Sequence, residues 1–463
     1  MNSILWIIIV LFSLFLISQA SRKIFKTDIF LGLFIMTKTK RFIPLLDKLA
    51  KPKKLLNFLT DFGIILGFGS FGLDYVIKEK ITTRYKRFLI FLGSSIVFTY
   101  LSYILIQIVF NNNPMISSNF IVFMSVLTGI MGLSGFTLAS LVFSAYDIVI
   151  KLFAGNAGNA CPGVGLVLPG VKMPKVDLLI PWYGWIILIF SAIIHEFAHG
   201  ALLRTFKAKV KSMGFILAGI LPLGAFVEPD DKQLEKKKNK SVIRMLAAGP
   251  TSNAIIAIFF ILLYFLIAPG FADYSKNIAI ERESYVFINS VDENISVCGT
   301  IFESPAYGVL EKNDIVLSIN GKEIKNRYDL SESITNVDSN NLFVVKNIDT
   351  NIEREVYLTP NEMGRFGFTY NVGYDEDYPI PSNYNWYKHT VDFILWTAIL
   401  NFLIATVNFL PTFPFDGGMM SRIIFEGYFS RKQTEKKRMS KVSKFFGTII
   451  VILLILNILP YFF

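Results

Sequence analysis

The sequence predicts a mainly α-helical, polytopic membrane protein of about 8 transmembrane helices, with one small soluble α+β domain inserted among them. Three observations support this fold class. Of the 463 residues, 53% are hydrophobic and only 17% are charged, whereas soluble domains carry about 25% charged residues. The apolar residues fall in runs long enough to cross a bilayer, which takes roughly 20 residues. Residues 278–360 contain no such run and are the predicted insert.

Seven apolar runs are predicted to span the membrane. They lie near residues 1–20, 88–110, 117–150, 182–203, 245–268, 391–411 and 445–463. The first has no basic residue before it, so we expect a retained span and not a signal peptide. A shorter glycine-rich run at 62–76 is ambiguous. If this run spans the membrane, the basic residues that follow it lie outside the cell, against the positive-inside rule. If it does not span, the later spans no longer place the other basic connections on the cytoplasmic side.

The net charge of +11 does not indicate nucleic-acid binding. The basic residues are concentrated in short connections next to the spans, notably at 204–211, 232–244 and 422–444. Such connections face the cytoplasm in multi-pass membrane proteins. We therefore expect a cell-membrane protein whose inserted domain is extracytoplasmic, with the lipid bilayer as its surroundings and no nucleic-acid partner.

Composition divides the chain into four parts. Residues 1–180 form an N-terminal membrane region that ends in an irregular loop, since the prolines of 155–180 would break a helix. Residues 181–270 form a membrane core that carries a histidine motif. The insert at 278–360 and a C-terminal membrane core at 385–463 complete the chain. No internal repeat stands out.

The insert has short β-branched runs separated by Asn, Asp and Gly turns. It contains Glu303-Ser-Pro-Ala-Tyr-Gly-Val-Leu310 and then Asn313-Asp-Ile-Val-Leu-Ser-Ile-Asn-Gly-Lys-Glu-Ile324. This pattern resembles a PDZ domain, in which a short helix leads to a strand written Gly-Asp-Ile-Ile-Leu-x-Ile-Asn-Gly. Asn313 stands where that family usually has Gly, and no loop for binding a peptide carboxylate stands out. The ligand of the insert therefore stays open.

Residues 191–200 contain a candidate metal-binding and catalytic motif, Ser-Ala-Ile-Ile-His195-Glu196-Phe-Ala-His199-Gly. His195 and His199 are four residues apart, so on a helix they share a face and can hold one zinc ion. Glu196 is placed to take a proton from water at that ion. The alternative is a histidine pair that neighbouring helices satisfy. Polar side chains inside an apolar span are costly, which favours the metal site.

Two residues are candidates for a third ligand. His389 is the remaining histidine, but beside Lys388 at a membrane boundary it is typical of an interfacial side chain. Asp416 lies in Asn408-Phe-Leu-Pro-Thr-Phe-Pro-Phe-Asp416-Gly-Gly, where prolines and glycines would end a helix and form a loop. A carboxylate is a suitable zinc ligand. The alternative for Asp416 is a plain helix-ending turn.

Together these motifs resemble the site-2 protease family of intramembrane metalloproteases, in its archaeal type. The resemblance rests on HExxH in one span, the Asn-x-x-Pro-x-x-x-x-Asp-Gly pattern in a later one, and Gly249-Pro-Thr-Ser-Asn253 between them. A PDZ-like insert is also found in many members. The resemblance covers residues 165–463, and residues 1–150 match no family that we can name.

The resemblance implies a role for each matching residue. His195, His199 and Asp416 would bind one zinc ion per chain, and Glu196 would be the catalytic base. Asn253 and Asn408 would bind the substrate strand or the oxyanion, although each could be a helix-packing amide. Residues 213–227 would form a membrane-embedded β-hairpin, the alternative being a loop at the interface. The implied substrate is a transmembrane protein, cut within the bilayer in regulated intramembrane proteolysis.

Three other classes remain as alternatives. A transporter or channel explains the spans, a scaffold explains the PDZ-like insert, and a zinc enzyme could act on a soluble or lipid substrate. Loss of activity on Glu196→Gln distinguishes the protease from the first two. The sequence names neither the physiological substrate nor the oligomeric state.

Overall fold

The computed structural model describes residues 12–13, 15–20, 28–30, 34–110, 117–156, 159–165, 168–172, 175, 179–218, 221–297, 300–335, 340–362, 364–374, 380–428 and 434–462. Among these residues, seven helices are long and apolar enough to cross a bilayer. They cover the ambiguous run and six of the seven predicted spans. Most of the first predicted span, near residues 1–20, lies outside the described residues. The predicted helical membrane fold is confirmed.

Eleven helices are labelled here in chain order. Helices α1 to α11 are Ile43–Leu49, Lys53–Ile77, Arg84–Phe110, Ser118–Phe153, Gly184–Thr205, Asp231–Leu234, Asn239–Arg282, Arg327–Thr335, Ser382–Asn408, Asp416–Phe425 and Glu435–Ile458. The long apolar ones are α2, α3, α4, α5, α7, α9 and α11. The described residues between α4 and α5 form no regular strand or α-helix, as the prolines there predict.

Helix α2 contains the ambiguous glycine-rich run and doubles back on itself. Gly69 has φ 55° and ψ −132°, which breaks the helix in its middle. Asp61 pairs with Arg244, and Glu79 pairs with Lys240. Arg244 and Lys240 are one turn apart in α7, whereas a straight helix would separate Asp61 from Glu79 by about 27 Å. Both ends of α2 therefore lie on one side of the helix bundle, so α2 is a re-entrant hairpin and not a span.

Helix α4 makes the same turn at Gly132, where φ is 59° and ψ is −146°. The rings of Phe120 and Phe143 stack with their centroids 3.7 Å apart, although a straight helix would separate these residues by about 35 Å. Because α3 crosses once between the two hairpins, α2 and α4 enter the bundle from opposite sides. The remaining long helices then alternate, and the strongly basic connections at 204–211, 232–244 and 422–444 fall on the same side as the basic residues that follow α2. This removes the conflict that the sequence left.

The tips of the two hairpins meet. A Cβ added to Gly69 would lie 2.6 Å from the amide nitrogen of Gly132, and one added to Gly132 would lie 2.7 Å from the amide nitrogen of Gly69. Positive φ and this close approach both require glycine. The hydroxyl of Ser70 donates a hydrogen bond of 3.2 Å to the carbonyl of Gly129. The two tips thus form a short structural repetition that the sequence alone did not reveal.

A four-stranded antiparallel sheet lies beside α5. Its strands in spatial order are β1 (Asp28–Phe30), β2 (Phe34–Met36), β3 (Val210–Ala218) and β4 (Leu221–Pro229). Strands β3 and β4 form the hairpin predicted for residues 213–227. Strand β4 packs against α5 and has no second strand partner among the described residues. It therefore presents an open edge next to the histidine helix.

The insert folds as a separate α+β unit between α7 and α9. Its strands are β5 (Glu283–Val291), β6 (Asn294–Val297), β7 (Thr300–Glu303), β8 (Asp314–Ile319), β9 (Lys322–Glu323), β10 (Asn341–Asn347), β11 (Glu353–Leu358) and β12 (Phe368–Tyr374). The main sheet has the order β11-β10-β8-β5-β12, with β9 beside β8, and helix α8 completes the unit. Residues alternate between buried and half-buried along β10, so one face of the sheet covers the core. Strand β12 extends the sheet beyond residue 360.

Candidate metal centre

The two motif histidines lie on one face of α5, one turn apart, and both are buried. The Nδ1 atom of each histidine lies within hydrogen-bond distance of its own acceptor. The Nδ1 of His195 is 2.6 Å from Oδ1 of Asn253, and the Nδ1 of His199 is 2.7 Å from the carbonyl oxygen of Met245. Since both partners are acceptors, each Nδ1 carries a proton that it donates. In a neutral imidazole, each Nε2 then presents a lone pair.

These two lone pairs face the carboxylate of Asp416. Oδ2 of Asp416 is 3.2 Å from Nε2 of His195 and 3.2 Å from Nε2 of His199. With both imidazoles neutral, these are three acceptor atoms, and a cation between them would offset their mutual repulsion. A tetrahedral zinc ion with bonds of 2.0–2.2 Å holds its ligand atoms about 3.3–3.5 Å apart, so the spacing and the donor set both fit zinc.

Asp416 reaches the histidines because of how its loop folds. It is the first residue of α10, which begins directly after the proline-containing loop that ends α9. A Cβ on Gly417 would clash with the carbonyl of Phe409, and one on Gly418 would clash with the backbone of Thr412. The two glycines therefore allow the loop to pack against the start of α10, and this close packing brings the carboxylate to α5.

Gly249 forms the opposite wall of the centre. A Cβ at this position would overlap Nε2 of both His195 and His199. The glycine thus leaves open the space that an ion at these atoms needs. In the sequence, Gly249 is recognisable only as the first residue of the Gly-Pro-Thr-Ser-Asn motif, which does not indicate its role. Its place before Pro250, in the helix that follows the HExxH helix, was the one available signal.

Glu196 is half-buried on the side of α5 that faces the sheet. Its Oε2 accepts a hydrogen bond of 2.9 Å from the backbone N–H of Val227 in β4. The carboxylate is therefore tied to the open edge strand, next to the histidines. Nothing in the sequence pointed to Val227, because this contact depends on how the sheet packs against the helix.

The other residues considered from the sequence have different surroundings. Asn253 is fully buried, and its Nδ2 donates to Oδ1 of Asn401 at 2.9 Å, so its amide is occupied by His195 and Asn401. Asn408 is half-buried at the end of α9 and donates to the carbonyl of Ile404 at 2.9 Å. His389 is exposed near the start of α9 and is not part of the group formed by the two histidines and Asp416.

Two neutral histidines and a carboxylate, set in a bundle of membrane helices with a second carboxylate beside them, are the parts of a membrane metallopeptidase. The chain belongs to peptidase family M50, the site-2 protease family, which it matches over residues 183–454, more than half of its length. The matched segment contains all the residues of the centre. The resemblance seen in the sequence is thereby confirmed.

The chain is also similar to an uncharacterized protein of Methanocaldococcus jannaschii. The two are 32% identical over 244 residues, which are 52% of this chain and 56% of the relative. The match therefore spans only about half of the relative's length.

Proposed function

We propose that this membrane metallopeptidase is a zinc endopeptidase that cuts transmembrane segments of other membrane proteins. His195, His199 and Asp416 hold one zinc ion, and Glu196 is the catalytic base. The convergence of the Nε2 atoms of both histidines on the Asp416 carboxylate is the observation that carries the proposal. Cleavage within the bilayer suits a role in regulated intramembrane proteolysis.

The residues of the chain divide the work. When bound, zinc supplies a Lewis acid that polarises the scissile carbonyl and makes a water molecule more acidic. The Glu196 carboxylate would accept a proton from the attacking water and later pass it to the departing amine. Asn253 and Met245 hold the two imidazoles in the tautomer that binds metal. Asn408, whose Oδ1 has no partner among the described residues, stands as a predicted contact to the substrate.

The edge of β4 supports a substrate in extended form. A helical segment hides its peptide groups in its own hydrogen bonds and must unwind before cleavage. Strand addition on β4 replaces the hydrogen bonds that unwinding breaks, in a region where water is scarce. Because Val227 of β4 also donates to Glu196, a strand paired there lies beside the catalytic carboxylate.

The membrane orientation follows from the basic connections. They lie on one side of the bundle, at the start of α3 and α7 and after α5. We place this side in the cytoplasm and the insert, at 278–360 or slightly longer, outside it. The active centre then opens near the cytoplasmic face. The PDZ-like character of the insert rests on its sequence pattern and on its α+β fold.

The direct test is cleavage of a transmembrane test substrate by the purified full-length protein. Glu196→Gln removes the basic carboxylate but keeps the side-chain size, so the rate should fall by about 10²–10⁴-fold. Zinc content should stay near one per chain, by elemental analysis. Glu293→Gln, on the exposed surface of the insert, is the matched control and should keep full activity. Full activity of Glu196→Gln would overturn the assignment.

A further inference from the structure

A cavity lies outside the metal centre, between the second arm of the α2 hairpin, the start of α3, and the segment that follows α10. Its volume is about 720 Å³. Phe71 and Phe91 form part of its apolar wall, while Lys78, Arg84 and Arg87 bring basic groups to it. It therefore combines an aromatic wall with a cationic end, and neither is used by the peptidase chemistry.

The acidic groups of the cavity are already paired. Asp74 forms a two-point ion pair with the guanidinium of Arg87. Glu426 pairs with Arg438 at 3.3 Å. These pairs leave the remaining basic side chains of the cavity without a matching negative charge from its wall.

Lys78 and Arg84 are those remaining cations. No carboxylate of the described residues lies within ion-pair distance of either one. The ammonium of Lys78 lies 3.6 Å above the ring of Tyr75. Burial lowers the pKa of the Lys78 ammonium below its usual value, and Glu426 offsets this only in part. Three basic and two acidic side chains line the cavity, so its wall has an excess of basic groups that an anion would stabilise.

The wall formed by α3 shows which anion fits. This helix is barely covered by the rest of the protein: Tyr85 is 69% exposed and Phe88 58% exposed. An apolar helix left open in this way faces lipid chains. Arg84 is the first residue of that span, so it lies at the level of the headgroups. A ligand that enters here carries its negative charge next to an apolar body.

From this geometry we propose that the cavity binds an anionic phospholipid, with its phosphate at Lys78 and Arg84 and its chains along the aromatic wall of α3. Basic pockets between membrane helices are suited to such headgroups. We propose a lipid and not free phosphate because the apolar wall of α3 is exposed next to the basic groups. The proposal does not depend on the peptidase activity.

The site is placed to influence the metal centre. Ile423 and Ile424, in the last turns of α10, line the cavity. Asp416 is the first residue of the same helix. A lipid that packs against the end of α10 therefore supports the helix that carries a metal ligand.

Native mass spectrometry of the purified full-length protein tests the proposal. Phosphatidylglycerol and phosphatidylcholine are titrated separately. We expect the anionic lipid to bind more tightly, and the double variant Lys78→Gln/Arg84→Gln to lose about 25-fold in its affinity, a factor of roughly five for each basic group. The control Lys80→Gln/Lys86→Gln changes two exposed cations outside the cavity and should keep the affinity.

Equal binding of the two lipids would overturn the proposal, as would an unchanged affinity in the double variant or equal losses in the double variant and its control. Inorganic phosphate separates the two sources of the anion. If it binds as tightly as the lipid, the apolar wall contributes nothing and the cavity is a phosphate site. If the double variant does not fold, Arg84→Gln alone alters an exposed side chain and should lower the affinity about fivefold.

Discussion

Gly249 shows how one missing side chain keeps the proposed metal centre open. Its Cα faces Nε2 of both His195 and His199, so even a methyl group would overlap the ligand atoms. We predict that Gly249→Ala abolishes zinc binding, measured by elemental analysis, and activity with it. Gly270→Ala in the same helix is the control, because its added Cβ would meet only Tyr387 at an ordinary 3.6 Å. Normal zinc content in Gly249→Ala would contradict this account of the centre.

Substitutions of Asn253 and Asn408 should affect different properties, namely zinc affinity and substrate cleavage. Asn253 contacts His195, so Asn253→Ala should lower zinc affinity by about 10–100-fold. Asn408 makes no contact to a ligand in the described residues, and Asn408→Ala should leave zinc affinity unchanged while impairing cleavage of a transmembrane substrate. Zinc titration and cleavage kinetics on both variants give the answer. The reverse pattern would exchange the two roles.

The α2 hairpin braces the membrane core that carries the histidine motif. Gly63 packs against Thr251, and Gly67 packs against the ring of Phe409. Thr251 belongs to the motif that includes Asn253, and Phe409 precedes the Asp416 loop. The guanidinium of Arg244 also bonds to the carboxylate of Asp61 at 2.7 Å. The α2 hairpin lies outside the matched family segment yet contacts two of its motifs.

A glycine substitution tests the hairpin turn. Gly69→Ala places a Cβ 2.6 Å from backbone atoms of α4, at a positive φ that side chains rarely adopt. Strain of this kind costs about 1–3 kcal/mol, so the unfolding temperature in detergent should fall. Gly93→Ala in α3 is the matched control, since nothing lies within 4 Å of its added Cβ. Equal unfolding temperatures for the two variants would exclude a tight contact between the hairpin tips.

For the whole molecule, the hairpins determine which side each connection faces. With α2 and α4 re-entrant, α3, α5, α7, α9 and α11 each cross once, and the basic connections share one side. The insert then lies on the other side, between the far ends of α7 and α9. This arrangement satisfies the charge rule for the strongly basic connections at 204–211, 232–244 and 422–444.

Cysteine labelling in intact cells checks this orientation. In a background without Cys161 and Cys298, a cysteine at Ser296 should react with an impermeant reagent if the insert is extracytoplasmic, as we propose. Cysteines at Lys51, Lys80 and Thr434 should stay unlabelled until the cells are opened. Labelling of position 80 but not position 51 would show that α2 crosses the membrane. Labelling of position 434 in place of 296 would invert the whole topology.

Local patterns in the sequence were enough to predict the helical membrane class and the shared helix face of His195 and His199. A long apolar run specifies a membrane helix, and a spacing of four specifies a shared helix face. Asp416 was found through a motif, since 221 residues separate it from His195. The tertiary structure alone decided that α2 and α4 turn back at Gly69 and Gly132, that Gly249 clears the centre, and that Val227 bonds to Glu196. These features arise from contacts between segments far apart in the chain, whose packing no local pattern of residues specifies.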